Sequence, residues 1–241
     1  MTWRGLKVLA VIPARGGSKG IPRKNLCQVG GLSLIAHAAR VLKGLEWIDH
    51  SVLSTDDQEM AIEGEKYGLE VPFMRPVELS QDLSTSVDMW RHAWLASEKS
   101  FGCRFDVSIL IQPTTPLRTS EEIEQTLRAM IDGGHQAATT VSPVPGHFTP
   151  EKTLQMNVSG ILRYYHPKGS EHTARQTIPP YYFRNGLCYA VTRQTLIDQG
   201  QIIEEDCIGV VIDRYVVNID DPLDLELADF LYSKNPNLYR C

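Results

Sequence analysis

The residues of this chain with the clearest chemical potential are four cations in one glycine-rich loop. They lie within VIPARGGSKGIPRKN at positions 11–25, which contains three glycines and no acid; the cations are Arg15, Lys19, Arg23 and Lys24. Glycine adopts left-handed backbone angles without steric cost, so its N–H groups can turn toward one ligand, and concave arrays of N–H groups bind anions. With fixed cations added, the natural ligand is a polyphosphate. The alternative is a solvated basic turn.

Charge and motif spacing exclude several partners for this loop. The 241-residue chain has a formal net charge of −5, which gives no general attraction to nucleic acid or to anionic membranes. The loop also lacks the aromatic series on which nucleic-acid bases stack, so we expect neither a nucleic acid nor a membrane as partner. Its spacing matches neither the P-loop pattern G-x-x-x-x-G-K-S/T nor the dinucleotide pattern G-x-G-x-x-G, which disfavours a dinucleotide cofactor.

The order of predicted elements places the loop at the edge of a sheet. Short apolar runs typical of strands occur at 7–12, 51–53, 70–73, 106–111, 136–141, 186–191 and 209–212. Helical spacing or capping residues predict helices at 32–45, after Asp56 and Glu59, from 84 or 85 to about 99, from 119 to about 131, and from Asp221 onward. This alternation predicts an α/β fold with a doubly wound, mostly parallel sheet. Ligands bind such sheets at the carboxyl ends of the strands, where the basic loop follows the first strand.

The alternation stops between about residues 142 and 184. Six prolines interrupt this segment, and its short strand-like runs do not alternate with helices. We interpret residues 1–241 as a single domain that carries the segment as an inserted arm. A hairpin in this arm would contact a second copy of the chain, which predicts a homodimer.

Cysteine and histidine usage indicates a reducing compartment and no zinc site. The five cysteines are scattered and never in C-x-x-C spacing, and the seven histidines form no H-E-x-x-H or paired Cys/His pattern. Scattered cysteines are typical of the cytosol rather than of a disulfide framework, so we expect a cytoplasmic protein. The chain also has no apolar run near the ~18 residues that span a membrane.

Six blocks of the sequence resemble one enzyme family, in the family's order. They are A-R-G-G-S-K-G-I-P-R-K-N-L (14–26), L-S-T-D-D (53–57), R-P-V-E-L-S-Q-D-L-S-T-S (75–86), L-I-Q-P-T-T-P-L-R (110–118), R-N-G-L-C-Y (184–189) and N-I-D-D-P-L-D-L (218–225). Together they resemble the CMP-N-acetylneuraminate synthetase family, which includes the legionaminate and pseudaminate enzymes. The related Kdo cytidylyltransferases carry S-R-x-P-G-K in the first block and match less well.

The resemblance implies a Rossmann-like nucleotidyltransferase whose partners are CTP and a 3-deoxy-2-ulosonic sugar acid of the sialic acid type. The C2 hydroxyl of the sugar attacks the α-phosphorus, which gives a CMP-sugar and pyrophosphate. Such chemistry depends on charge stabilisation and in-line positioning. Alternatives are another sugar nucleotidyltransferase and a non-catalytic nucleotide-binding homologue. The sequence identifies neither the particular sugar nor a general base.

The resemblance also assigns residues to the nucleotide. The residues that match triphosphate-binding positions are Arg15, Ser18, Lys19 and Lys24. The two lysines would neutralise the leaving pyrophosphate and so count as catalytic. Asn25 matches a nucleotide-contacting position, and Arg75 with Ser84 and Ser86 matches the cytosine pocket. For Arg75 the alternative is that it belongs to an ordinary surface turn. For Arg23 the alternative to ligand contact is a solvated side chain.

A second group of matched residues concerns the sugar. Gln112 ends an apolar strand and matches a sugar-contacting position. The sugar carboxylate favours a bidentate arginine, for which Arg175 is preferred to Arg184. Asn185 belongs to the same group, although Asn185-Gly186 is equally consistent with a turn.

Asp220 is the predicted metal ligand and the third predicted catalytic residue. Its carboxylate, together with phosphate oxygens, suits Mg²⁺ (or Mn²⁺). Many relatives have an acid two residues earlier, where this chain has Asn218, so a site with two carboxylates is in doubt. The alternative is that Asp220 only caps the following helix, as Asp221 is expected to do.

Overall fold

A computed structural model describes residues 3–171, 178–203, 205–236 and 239 of the chain. Its main sheet has six strands in the order β10-β6-β9-β5-β1-β4. Their bounds are β1 Val8–Pro13, β4 His50–Ser54, β5 Val107–Leu110, β6 Ala137–Pro143, β9 Tyr182–Thr192 and β10 Cys207–Val211. Two hairpins supply the other described strands: β2 Gln28–Val29 with β3 Leu32–Ser33, and β7 Leu154–Met156 with β8 Leu162–Tyr164.

The described α-helices begin at residues whose side chains cap them. They are α1 Leu34–Lys43, α2 Gln58–Lys66, α3 Ser86–Phe101, α4 Ser120–Gly133 and α5 Pro222–Lys234. Capping boxes open α4, through Thr119 and Glu122, and α5, through Asp221 and Asp224. The predicted starts of both helices are therefore confirmed. Capping residues lie close together in sequence, which is why the sequence alone could predict them.

The predicted mostly parallel sheet is confirmed, with one reversed strand. β1 pairs in parallel with β4 and β5, and β10 with β6, whereas β9 lies antiparallel between β5 and β6. Along β1, Val8, Ala10 and Ile12 pack with α1 and α4. Leu9 and Val11 pack with α3 on the other face. Both faces of β1 are therefore buried, which explains its continuous apolar sequence.

Two predicted element bounds were wrong. Residues 70–73 form no strand, although all four are described; a single isolated bridge joins Glu70 to Val52. The helix predicted at 32–45 starts at Leu34, because its first two residues pair with β2 and the Ser33 hydroxyl accepts the N–H of Ala36.

The inserted segment contains a hairpin that exposes apolar side chains. β7 and β8 pair with each other, and four of their side chains are exposed: Leu154, Met156, Leu162 and Tyr164. Residues 172–177 of the segment lie outside the described residues. That the chain is one domain and that this arm contacts a second copy stay predictions. Over the described ranges, no helix combines the length and apolar character needed to cross a membrane.

Candidate active site

A cleft of about 560 Å³ opens at the carboxyl ends of β1 and β5. Ten of the residues predicted for the site line it: Arg15, Ser18, Lys19, Lys24, Asn25, Arg75, Ser84, Ser86, Gln112 and Asp220. Arg184 and Asn185 line an adjoining cleft of about 240 Å³. Gln112 and Ser86 line both clefts, so the two spaces share a wall. Arg175 lies outside the described residues.

Close contacts on two sides fix the backbone of the basic loop. The Gly16 N–H donates to the Asp56 carboxylate at 2.9 Å. Gly20 packs so closely on the Asp220 carbonyl that an added Cβ would overlap its oxygen. The buried Asn25 side chain donates to a carbonyl within the loop at 3.2 Å. The loop is therefore held between the end of β4 and the segment that leads into α5.

The two acids of L-S-T-D-D have different partners. Asp56 was predicted to cap α2, and this was wrong: the cap is Asp57, which accepts the N–H groups of Glu59 and Met60, both at 3.0 Å. Asp56 instead accepts a hydrogen bond from the Gly16 N–H in the basic loop. Arg23 pairs with Asp57 and Glu59, both at 2.8 Å, and does not line the cleft. Three of the four loop cations thus face the cleft, and Arg23 stabilises a helix start.

Lys24 and Asp220 form an ion pair in the cleft. The Lys24 ammonium donates to Asp220 at 3.0 Å and to the Ile219 carbonyl at 2.7 Å. The second Asp220 oxygen accepts from the Asn218 amide at 3.0 Å. The Lys24 side chain is 14% exposed and that of Asp220 is 73% exposed, so the carboxylate is open to a ligand while the lysine is fixed.

An acid without a predicted role pairs with the other two cations of the cleft. The Asp82 carboxylate lies 2.5 Å from the Lys19 ammonium and 3.4 Å from the Arg15 guanidinium. Arg15 also donates to the Gln81 carbonyl at 3.2 Å. The hydrogen bond from Lys19 holds the pKa of the Asp82 carboxyl below its usual value. The segment 80–84 therefore lies against the basic loop and lines the cleft with it.

Arg75 is held at the end of β4. Its buried guanidinium donates to the hydroxyl and to the carbonyl of Ser54, and burial lowers its pKa to about 10. Ser84 is engaged locally, since its hydroxyl donates to the Glu78 carbonyl at 2.7 Å. Ser86 begins α3 and lines both clefts. The segment predicted for cytosine thus combines fixed donors with a helix start.

Close packing at the start of β9 shapes the adjoining cleft. Gly186 has a φ of 78°, and a Cβ there would come within 2.5 Å of the Gln112 carboxamide oxygen and 2.8 Å of the Thr115 hydroxyl. The neighbouring Asn185 carboxamide accepts from the Thr140 hydroxyl at 2.6 Å and donates to a second hydroxyl at 3.1 Å. These bonds stabilise the irregularity in the β6–β9 ladder, so the Asn185 side chain supports the cleft that its residue lines.

A buried cation supports the turn that carries Gln112. Arg118 is 2% exposed and donates to the Gln112 carbonyl; burial lowers its pKa to about 10. Two of its nitrogens have no hydrogen-bond partner among the described residues. The Glu122 carboxylate nearby is bound by Arg214 at 2.7 Å. Arg118 thus binds the backbone of Gln112, the residue that lines both clefts.

Known sequences show which family this chain belongs to. A cytidylyltransferase family model matches residues 9–199, which is most of the chain. This chain belongs to the cytidylyltransferase family. It is 30% identical over 233 residues to the post-translational flagellin modification protein B of Campylobacter coli, covering 96% of this chain and 97% of that protein. It is 29% identical over 229 residues to a CMP-N,N'-diacetyllegionaminic acid synthase of Campylobacter jejuni, with 94% and 95% covered. A pseudaminic acid cytidylyltransferase of Campylobacter jejuni is 28% identical over 231 residues, with 95% and 98% covered.

Solved structures share the fold of this cytidylyltransferase. CMP:2-keto-3-deoxy-manno-octonic acid synthetase complexed with CTP matches with a TM-score of 0.70 at 19% identity, covering 95% of this chain and 99% of that one. The 4-diphosphocytidyl-2C-methyl-D-erythritol synthase of Anaerococcus prevotii matches with a TM-score of 0.64 at 14% identity, covering 95% and 97%. The predicted fold class and the resemblance to a cytidylyltransferase family are thus confirmed.

The donor set of the cytidylyltransferase cleft suits a hard cation. Among the described residues, no group of three or more His, Cys, Asp or Glu side chains is placed to hold a metal ion. Asp220 offers an exposed carboxylate, and Asn218 beside it adds an amide. Mg²⁺ is commonly bound by one or two carboxylates, with substrate phosphates and water completing its shell. Asp82 also lines the larger cleft but is paired with Lys19 and Arg15, so the more exposed Asp220 carboxylate fits that pattern.

Four residues that shape the site were not predicted to belong to it. They are Asp56, Asp82, Arg118 and Gly186. Each lies inside a block that resembles the family, and that position was the available signal. Their partners are 40, 63, 6 and 74 positions away in the sequence, as the differences 56−16, 82−19, 118−112 and 186−112 show, so for three of them no local pattern reveals the contact.

Proposed function

We propose that this cytidylyltransferase transfers CMP from CTP to the C2 hydroxyl of a 3-deoxy-2-ulosonic sugar acid of the sialic acid type, releasing pyrophosphate. The observation that carries the proposal is the pair of adjoining clefts with one shared wall. The larger is lined by three loop cations and the smaller by Arg184, and Gln112 lies between them. The relatives named for legionaminic and pseudaminic acid support the same class of acceptor.

The larger cleft binds the nucleotide in this proposal. Lys19, Arg15 and Lys24 hold the triphosphate, because charge-assisted hydrogen bonds to phosphate are stronger than neutral ones. Lys19 and Lys24 also neutralise the charge that develops on the departing pyrophosphate. Ser18 and Asn25 position the loop and the nucleotide. Arg75, Ser84 and Ser86 form the cytosine end of the cleft, where fixed donors separate cytosine from other bases.

The smaller cleft receives the sugar acid. Within the described residues, Arg184 forms no ion pair with a carboxylate, which leaves its guanidinium for the sugar carboxylate. Gln112 binds the sugar from the shared wall, so the C2 hydroxyl points toward the α-phosphorus. Asn185 contributes through the backbone that it supports, and Arg175 stays a predicted second cation. Positioning of this kind lowers the barrier without a covalent intermediate.

Asp220, with Asn218 beside it, would hold Mg²⁺ (or Mn²⁺). When bound, the ion supplies charge stabilisation to the phosphates. Lys24 keeps the carboxylate in place through its 3.0 Å contact, since the lysine itself is anchored on the Ile219 carbonyl.

The test is pyrophosphate release from CTP with Mg²⁺ across a panel of 3-deoxy-2-ulosonic acids, beside an Asp220→Ala variant. We expect release with at least one acid and its loss in the variant. UTP, GTP and dTTP in place of CTP separate this activity from that of another sugar nucleotidyltransferase. CTP binding without release for any acid would favour a non-catalytic homologue, and absence of CTP binding would refute the assignment of the basic loop.

We also propose that the chain is a homodimer whose arm, β7 with β8, packs on the partner subunit. Four exposed apolar side chains on this short hairpin support the proposal, because apolar surface on a small protruding element is typical of interfaces. Light scattering coupled to size exclusion should give twice the chain mass. Met156→Asp should shift the mass toward one chain, and an unchanged mass would contradict a role for the hairpin.

A further inference from the structure

Asp82 stands out because it is an acid inside a cleft assigned to an anion. Its carboxylate contacts Lys19 at 2.5 Å and Arg15 at 3.4 Å, and both cations line the larger cleft. A second contact ties the same segment to the loop, since the Gln81 carbonyl accepts from Arg15 at 3.2 Å. The segment 80–84 thus occupies donors that a polyphosphate also needs.

Carboxylate and phosphate oxygens compete for the same N–H donors. Asp82 and Lys19 are both substantially exposed, with side chains 47% and 77% accessible, and exposed ion pairs are weak enough to be exchanged. A ligand that brings several phosphate oxygens can displace one carboxylate. The displaced carboxylate stays nearby, because the Ser84 hydroxyl accepts the Gln81 N–H and donates to the Glu78 carbonyl and so holds the turn that carries Asp82. It therefore returns when the ligand leaves.

We propose that Asp82 is a specificity-determining residue that competes with the phosphate chain of the ligand. Its carboxylate pairs with Lys19 and Arg15 when no phosphate is bound, and it thereby weakens the binding of triphosphate and pyrophosphate. This inference rests on the proposed function, since it takes those cations as the triphosphate site. Ligands that do not reach the two cations, such as cytidine, are unaffected by the competition. The functional result is faster release of pyrophosphate, because the Asp82 carboxylate takes the place of the departing pyrophosphate on Lys19 and Arg15.

The experiment measures dissociation constants of pyrophosphate, CTP and cytidine by calorimetry for the wild type, Asp82→Asn and Glu78→Gln. Glu78 is a matched control: it is an exposed acid four residues before Asp82, and it forms no ion pair among the described residues. Asp82→Asn should tighten pyrophosphate and CTP by about two- to tenfold, the range expected when weak exposed pairs cease to compete. Glu78→Gln should change neither by more than a small factor, and cytidine should bind all three proteins equally.

A second variant separates competition from a structural role. Asp82→Glu keeps the charge and should restore wild-type affinity for pyrophosphate, and the melting temperature of all variants should match the wild type. Weaker or unchanged pyrophosphate binding in Asp82→Asn would overturn the inference, as would equal tightening in Glu78→Gln. If the wild type binds neither CTP nor pyrophosphate, the proposed function fails and the inference falls with it. If the wild type binds both and Asp82→Asn does not tighten them, only the inference is wrong.

Discussion

Gly186→Ala is expected to raise the KM for the sugar acid while leaving the KM for CTP unchanged. Gly186 has a φ of 78°, and its missing side chain leaves room for Gln112, whose carboxamide oxygen would lie 2.5 Å from an added Cβ. This oxygen is the end of a flexible side chain, so Gln112 would rotate away. The Thr115 hydroxyl, at 2.8 Å from the same Cβ, would shift by a smaller amount. The substitution therefore moves the residue assigned to the sugar without touching the basic loop.

The magnitude has two separate parts. A left-handed backbone costs a residue with a Cβ about 1–2 kcal/mol, and about 2–4 °C of melting temperature is lost per kcal/mol in a domain of this size. Loss of one neutral hydrogen bond from Gln112 to the sugar should raise the KM for the sugar about two- to tenfold. Gly134→Ala is the matched control, since Gly134 has a φ of 73° and no atom within 4 Å of its added Cβ. That variant should lose stability and keep both KM values.

The assay is initial-rate pyrophosphate release, with one substrate varied at a time, for Gly186→Ala, Gln112→Ala and the double variant. If displacement of Gln112 is the mechanism, Gly186→Ala adds nothing to the KM effect already present in Gln112→Ala. Such non-additivity is the signature of residues that act through one contact. Full additivity, or an equal rise in the KM for CTP, would refute the reasoning.

Four further predictions concern other parts of the molecule. Asp220→Asn should lower kcat by at least about a hundredfold, the loss typical of removing a charge-stabilising group, measured at saturating CTP and Mg²⁺; kcat within tenfold of the wild type would contradict its role. Lys19→Met should weaken CTP binding by about tenfold or more, because hydrogen bonds to charged groups exceed ~1.5 kcal/mol; calorimetry checks this, and equal affinity would count against the loop. Arg23→Ala should leave CTP affinity unchanged and reduce stability by less than about 1 kcal/mol, as a urea titration would show; a weakened CTP affinity would place it in the site. His37 is buried, and burial lowers its pKa from the ordinary 6.5. Below that pH the unfolded chain therefore takes up a proton more readily than the folded protein, and stability falls by up to about 1.4 kcal/mol per pH unit. His37→Gln should lose less of its urea midpoint between pH 7 and 5 than the wild type, and an identical loss would contradict this assignment.

Local signals predicted what depends on neighbours in sequence. The predicted capping box of Thr119 with Glu122 and the predicted N-cap Asp221 both formed as expected; the box that Asp221 closes with Asp224 was not predicted. The adjacent acids Asp56 and Asp57 show where such signals stop. Both are suited to cap α2. The Asp56 carboxylate instead accepts from the Gly16 N–H, which belongs to a loop 40 residues earlier, and this leaves Asp57 as the cap.

The basic loop shows the same limit within the site. Its glycines and cations predict an anion site, and three of its four cations line one cleft; that this cleft binds an anion stays a prediction. Their ion-pair partners were not predictable, because Asp82 and Asp220 approach from segments 63 and 196 residues away from Lys19 and Lys24, as 82−19 and 220−24 give. The two pairs also differ in burial, since the Lys24 side chain is 14% exposed and that of Lys19 is 77% exposed.

The reversed strand explains why the two clefts adjoin. Parallel strands present only their final residues at the ligand edge of a sheet. β9 runs the other way, with Tyr189 opposite Leu110 and Arg184 opposite Val141, so its first residues lie beside the carboxyl ends of β5 and β6. A parallel strand in the same place would carry Arg184 to the opposite edge, away from Gln112. One change of strand direction, which composition and periodicity do not encode, thus brings the predicted sugar residues beside the cleft proposed for the nucleotide.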